Sequence, residues 1–221
     1  WLVPAPLGRC RARGAGGGRP VPSVHTHFHR RGPTLNNRRV RPSPSPAASQ
    51  PPGGGRVFDA AVSLDGYLAG PGHDLSFLDD ISGAAAVYEE FYAGVDALVM
   101  GRTTFDVGRD IAAEWPYPGK PCTVVTSRAL EDPPPDAPAD AGVDLAAMAR
   151  GLRRHGRAWA VGGGVLVAGL LAAGVLDEID LVITPHVLGA GVPLWPSDTG
   201  RHLLRLADVN DLGAGAVRVC Y

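Results

Sequence analysis

The sequence predicts an α/β domain built on a mostly parallel sheet, with helices on both faces and an antiparallel hairpin at its carboxyl end. Three observations lead there. Apolar runs of strand length alternate with segments of helix length from Val57 onward. Glycine-bearing junctions join strand to helix at two places, and the last two strand-like runs are separated only by a short turn.

Residues 57–63 read as the first strand, an unbroken run of small and apolar residues interrupted by Asp59. Residues 64–80 follow as a long glycine-rich loop containing Asp65-Gly66 and Pro71-Gly72, and loops of that length inside a domain are commonly functional. Ser82 suits a helix N-cap, residues 84–92 a helix and Gly94 its stop. The Glu89-Glu90 pair on that helix is expected to face solvent. Residues 95–100 form the second strand, 103–111 a short helix, and 121–126 a third strand ending in Ser127-Arg128.

A Pro/Asp-rich connection (131–142) precedes a predicted helix over 144–155, with Arg150, Arg153, Arg154 and Arg157 near its end, where cations suit the helix dipole. Residues 158–161 give the fourth strand, Gly162-Gly163-Gly164 a turn, and 165–173 an apolar helix. A strand over 177–184 and a Gly/Pro-punctuated loop over 187–196 come next. Residues 203–209 and 216–221 read as two strands joined by Asn210-Asp211-Leu212-Gly213, the terminal hairpin.

Charge divides the chain. Residues 1–56 hold ten arginines, no Asp or Glu, and many Pro and Gly, so they bury too little apolar surface to offset ordering entropy and are expected to be a disordered basic tail. Residues 57–221 carry all 22 acidic residues against the remaining 11 basic ones, an acidic segment of a size that suits one domain. A chain that opens on Trp1 and whose first methionine is Met100 reads as a fragment, or as one carrying residues from upstream of a start, and the tail as no part of the working domain.

The tail lacks a zinc-finger or helix-turn-helix pattern, so nucleic acid is not the expected partner. His25, His27 and His29 alternate, but they have no folded scaffold to make a metal site of them. Cys10, Cys122 and Cys220 are odd in number and widely spaced, which gives neither a disulfide framework nor a zinc site. With no signal peptide or membrane-length apolar run, the cytoplasm is the expected compartment.

The two junctions carry the functional argument. At Gly162-Gly163-Gly164 a backbone without Cβ atoms can approach a ligand closely, and the helix that follows offers unpaired N–H groups to an anion such as a pyrophosphate. Upstream, the strand ending at Met100 runs into Gly101-Arg102-Thr103-Thr104-Phe105, where a guanidinium, two hydroxyls and a second helix N-terminus meet. Two such junctions point to one dinucleotide. The Rossmann fingerprint is missing after the first strand, which argues against that fold.

Taken with Ser63-Leu64-Asp65-Gly66-Tyr67-Leu68-Ala69, Val124-Val125-Thr126-Ser127-Arg128 and Ile183-Thr184-Pro185-His186-Val187-Leu188-Gly189-Ala190-Gly191, these motifs resemble the dihydrofolate reductase-like superfamily. Within it they are most similar to the reductase domain at the carboxyl end of the bifunctional riboflavin-biosynthesis deaminase/reductase and to its stand-alone bacterial relatives, over residues 57–221. The resemblance implies a three-layer sandwich and NADPH as cofactor. It implies that Gly162, Gly163 and Gly164, after Val161, cradle the pyrophosphate, and that Gly101, Arg102, Thr103 and Thr104 contact phosphate. It further implies that Thr126, Ser127 and Arg128, with Arg102, surround the adenosine 2′-phosphate, a dianion that calls for guanidinium and hydroxyl donors.

For the proton that accompanies hydride transfer, two carboxylates compete. Asp74 resembles the active-site carboxylate of folate-reducing members, whereas Asp65 lies in a motif shared with the riboflavin-pathway relatives. Each has a plainer role open to it, Asp65-Gly66 as a turn and Asp74 as a cap. The loop over 64–80 is the expected lid. The resemblance implies a reductase of a pyrimidine- or pterin-like heterocycle, similar to 5-amino-6-(5-phosphoribosylamino)uracil reductase or dihydrofolate reductase, and a homodimer. The substrate stays open, because the domain has one lysine, Lys120, no counterpart of the arginine that holds a folate tail, and no deaminase module before it. A non-catalytic nucleotide-binding module is the alternative. A nucleic-acid binder working through the basic tail is a third reading.

Overall fold

The computed structural model describes residues 55–79, 81, 84–111, 115–130, 145, 148, 151 and 155–221. The expectations for residues 1–54, the Ser82 cap and the 131–142 connection therefore lie outside the described residues. In chain order the elements are β1 (Arg56–Ser63), β2 (Tyr67–Ala69), α1 (Ala84–Ala93), β3 (Ala97–Gly101), α2 (Arg102–Ile111), β4 (Cys122–Val125) and β5 (Ala158–Gly162). They continue with α3 (Gly164–Ala172), β6 (Glu178–Thr184), β7 (Val192–Pro193), β8 (Asp208–Gly213) and β9 (Ala216–Cys220). Of the helix expected over 144–155, Leu145, Met148 and Gly151 are described and are helical.

Seven strands form one sheet in the order β4-β3-β5-β1-β6-β9-β8. The first five are mutually parallel, and β9 and β8 add antiparallel at one edge. Phe58, Ala60, Val99 and Ala160 meet Leu166, Val167 and Leu170 of α3 on one face. Leu98, Met100 and Trp159 meet Tyr88 of α1, Phe105 of α2 and Tyr117 on the other. Burial on both faces is why these strands read as continuous apolar runs rather than alternating ones. Trp159 anchors the second layer, edge-on to Phe91 at 5.2 Å and to Tyr117 at 5.7 Å, with its indole N–H donated to the Asp59 carbonyl at 3.1 Å.

Several boundaries depart from the sequence reading. Strand β1 starts one residue earlier, because Arg56 is fixed from two sides: its backbone N–H donates to Asp177 at 2.8 Å and its Nε and Nη2 grip the same carboxylate at 2.7 Å. The 64–80 loop is not wholly irregular. Its β2 segment pairs antiparallel with β7, which lies inside the expected 187–196 loop. The terminal hairpin is displaced: β8 covers Asp208–Gly213, and the turn falls at Ala214-Gly215 rather than at 210–213. Gly213, Ala214 and Gly215 all carry positive φ (80°, 50° and 83°), so the flanking glycines place the turn. Asn210 and Asp211 instead bond locally within the strand, to Asp208 and to the Gly213 N–H.

The sheet interior also holds charge. Asp59 of β1 lies in register beside Asp180 of β6, and both are buried. Arg218 of β9 donates to both oxygens of Asp180 through Nε, at 2.8 and 2.9 Å, and again through Nη2. Burial, reinforced by the Asp180 carboxylate, pushes Asp59 up to about 7.

Candidate functional site

A cavity of about 530 Å³ opens at the carboxyl ends of β1, β3, β4 and β5, the usual position for a ligand on a parallel sheet. Gly101, Arg102, Thr103 and Thr104 from the β3–α2 junction and Val161, Gly162, Gly163 and Gly164 from the β5–α3 junction all line it. The two junctions meet directly, since a Cβ placed on Gly162 or Gly163 would lie 3.8 or 3.6 Å from the Thr104 hydroxyl. Gly162 has φ 143°, a backbone that other residues rarely adopt, and its peptide bond to Gly163 is cis.

Helix α3 starts at this wall with Gly163 as its cap residue and no side-chain cap, leaving its first N–H groups to other acceptors. Gly164 has a second reason to be glycine, absent from the sequence reading. A Cβ there would meet the Leu194 and Pro193 carbonyls at 2.6 and 2.8 Å, so it lets the chain following β7 close over the helix start. Among the described residues on the cavity wall the polar side chains are His73, Arg102, Thr103 and Thr104, and none is Asp or Glu. A donor set of this kind suits a polyanion, and so fits a dinucleotide phosphate.

Arg102 is partly committed. Its Nε donates to both oxygens of Asp106, at 2.9 and 2.8 Å, and its Nη1 to the Ala129 carbonyl at 3.1 Å, which ties the start of α2 to the chain leaving β4. Ser127 and Arg128 are exposed beside that tie and lie off the cavity wall, where Val125 represents β4. Thr126 is buried and its hydroxyl is used within the turn: it accepts the Arg128 N–H and donates to the Arg128 carbonyl, both at 3.1 Å. It shapes the turn that presents Ser127 and Arg128.

Neither candidate carboxylate lines the cavity. Asp65 accepts from the Ser63 hydroxyl at 2.7 Å, the Gly189 N–H at 2.7 Å and the Leu188 N–H at 3.1 Å. These bonds, the Ser63 hydroxyl first, hold it down at about 2 and clamp the β1–β2 turn to the 188–189 segment. Asp74 accepts from the Ser76 N–H at 3.0 Å and the Ser76 hydroxyl at 3.1 Å, which keeps its carboxyl below the ordinary range and ties it to the first residue of the single 3-10 turn Ser76–Leu78. Its neighbours His73 and Leu75 do reach the wall, with Leu68, Ala69 and Leu78. His73 was not singled out by sequence reasoning; the Pro71-Gly72 turn before it was the available signal. Among the described residues no helix is long and apolar enough to cross a membrane.

The family model of the RibD C-terminal domain matches residues 57–218. The chain belongs to this family. Among curated proteins, the RibD C-terminal domain of this chain is similar to the uncharacterised protein YwjB of Bacillus subtilis, at 32% identity over 75% of this chain and 95% of YwjB. Among solved structures it is similar to a Shewanella sp. PV-4 protein assigned provisionally to riboflavin biosynthesis, at 24% identity over 76% of this chain and 97% of that one, with a TM-score of 0.64. It is also similar to a diaminohydroxyphosphoribosylaminopyrimidine deaminase/5-amino-6-(5-phosphoribosylamino)uracil reductase of Thermotoga maritima, at 15% identity, over 76% of this chain and 56% of that longer one, with a TM-score of 0.58. The RibD-type domain thus has the dihydrofolate reductase-like fold expected from its motifs.

Proposed function

We propose that this protein is an NADPH-dependent reductase of a pyrimidine- or pterin-like heterocycle. The observation that carries the reading is the meeting of the Gly-Arg-Thr-Thr junction and the triple-glycine bend on one cavity wall, with no Asp or Glu among its described residues. Membership of the RibD C-terminal domain family and the names of its structural neighbours support it.

In this reading the N–H groups at the start of α3, with the bare backbone of Gly162 and Gly163, hold the pyrophosphate. The hydroxyls of Thr103 and Thr104 bind adjacent phosphate oxygens from the other side. Ser127 and Arg128, on the turn locked by Thr126 and tethered through Arg102, take the 2′-phosphate, for which a guanidinium and a hydroxyl are the fitting donors. NADPH supplies a hydride, and the apolar remainder of the wall, Ala60, Leu68, Leu75 and Leu78 included, keeps water from the reacting carbon. Asp65 and Asp74 enter as positioning residues that hold the loops framing the substrate end.

Titrating the protein with NADPH while following tryptophan fluorescence tests the reading. Saturable quenching is expected, with NADH at least about tenfold weaker, the loss of one charge-assisted contact. No binding up to about 1 mM, the top of the usual KM range, would sink it. A second reading, a non-catalytic nucleotide-binding module, draws on the lack of Asp or Glu on the described cavity wall. It predicts NADPH binding without oxidation by any pterin or aminopyrimidine. The reductase reading extends to a homodimer, for which the exposed Leu203 and Leu206, on the segment leading into β8, and Val209 of β8 offer apolar surface. Sedimentation as a monomer at high micromolar concentration would remove that extension.

A further inference from the structure

The cavity divides by chemistry. From the β3–α2 junction come Arg102, Thr103 and Thr104; from β2 and the loop after it come Leu68, Ala69, Leu75, Leu78 and, among the described residues, a single polar side chain, His73. Resting on the reductase reading, we propose that His73 is the residue by which this protein recognises the substrate heterocycle. An imidazole carries a donor and an acceptor in one rigid ring, the complement of an amide-like or amidine-like heterocycle edge. Set beside apolar side chains of the same wall, such a group sets orientation and specificity.

The backbone is built to hold it there. His73 has φ 64°, directly after Gly72 at φ 70°. Two successive left-handed residues, one of them not glycine, are uncommon and cost about 1 kcal/mol or more at the non-glycine position. The surrounding contacts impose that conformation. The Gly70 N–H donates to the Asp74 carbonyl at 2.8 Å, closing residues 70–74 into a loop with His73 inside it. Asp74 fixes the exit of the loop through Ser76, at 3.0 and 3.1 Å. The entry is fixed by the backbone of Gly191, against which Ala69 and Gly70 pack so closely that no Cβ fits. Gly191 in turn follows the 188–189 segment held by Asp65. Asp65 and Asp74 are therefore spent on holding the loop that carries His73 to the wall, and this division of labour explains why neither of these carboxylates lines the cavity itself.

The test compares His73→Gly, His73→Asn and the wild type for binding of NADPH and of a panel of 6-substituted pterins and 5,6-diaminouracils. Both substitutions tolerate left-handed backbone, so the loop keeps its path. The glycine variant is expected to hold NADPH within about twofold of the wild type and to lose about tenfold in heterocycle affinity, the worth of one well-made hydrogen bond. The asparagine variant, which keeps a donor and an acceptor, is expected to recover part of the loss; a merely structural role for His73 predicts no such rescue. Heterocycle affinity unchanged in His73→Gly, or a loss confined to NADPH, overturns the proposal while leaving the reductase reading intact. Wild-type protein that binds NADPH but no member of the panel overturns it as well. Wild-type protein that does not bind NADPH overturns the reductase reading, and the proposal with it.

Discussion

Asp59 lies inside the sheet with Asp180 next to it in register, while Arg218 is gripped by Asp180 rather than by Asp59. A carboxyl in that position keeps its proton up to about pH 7, because burial and then the neighbouring Asp180 disfavour its charge more than Arg218 and Arg157 favour it. The unfolded chain gives up the same proton near 3.8, the ordinary range for an aspartate. Between about pH 4 and 7 the folded state thus binds more protons than the unfolded one, and stability falls as pH rises. Glu178, pushed up mainly by burial, adds in the same direction. Asp59→Asn should flatten the decline and raise stability at pH 8 by on the order of 4 kcal/mol. Urea unfolding of both proteins at pH 4.5, 6 and 8 checks this, and parallel profiles would refute it. A single Asp in an apolar run signals a buried carboxyl in the sequence. What it does not reveal is which neighbour sits across the ladder, since β1 and β6 are far apart in the chain.

At the scale of elements, the parallel strands and their helices were legible because each is a local pattern, an apolar run long enough to cross a core, ended by a glycine at β3 and β5. The two glycine-bearing strand–helix junctions were legible for the same reason, as each is complete within five residues. The β2–β7 pair was not, because strands of three and two residues carry no period and pair only through contacts across the fold. Those contacts are tight. Gly191, at φ 144°, lies with its backbone on Ala69 and Gly70, and Gly164 lies under Leu194. The hairpin was misplaced by composition: Asn210-Asp211-Leu212-Gly213 has turn residues, but the positive-φ positions come later and decide the register. His73 stayed hidden for a related reason. Its place on the cavity wall depends on a left-handed pair and on a hydrogen bond from Gly70 to Asp74, neither of which leaves a periodic trace.

For the whole molecule, the division between a basic amino-terminal segment and an acidic domain puts the boundary at a residue that belongs by charge to the first and by contact to the second. Arg56 is one of the ten arginines of residues 1–56, yet it is the first residue of β1. It is 5% exposed, pairs in register with Ala158 of β5, and grips Asp177 through its backbone N–H, Nε and Nη2. Gly55 before it accepts the Ala158 N–H at 2.9 Å, closing the ladder one step further. A chain comprising residues 55–221 is therefore expected to melt with the full-length protein and to bind NADPH equally. A chain comprising 57–221 loses a bidentate, charge-assisted contact and leaves the Ala158 N–H without its acceptor. That loss is about 2 kcal/mol, or roughly 4–8 °C in Tm for a domain of this size. Calorimetry on the three chains checks the expectation. If the chain beginning at Val57 melts with the other two, Arg56 is not a working part of the fold; if the chain beginning at Gly55 is already destabilised, the domain extends further toward the amino terminus.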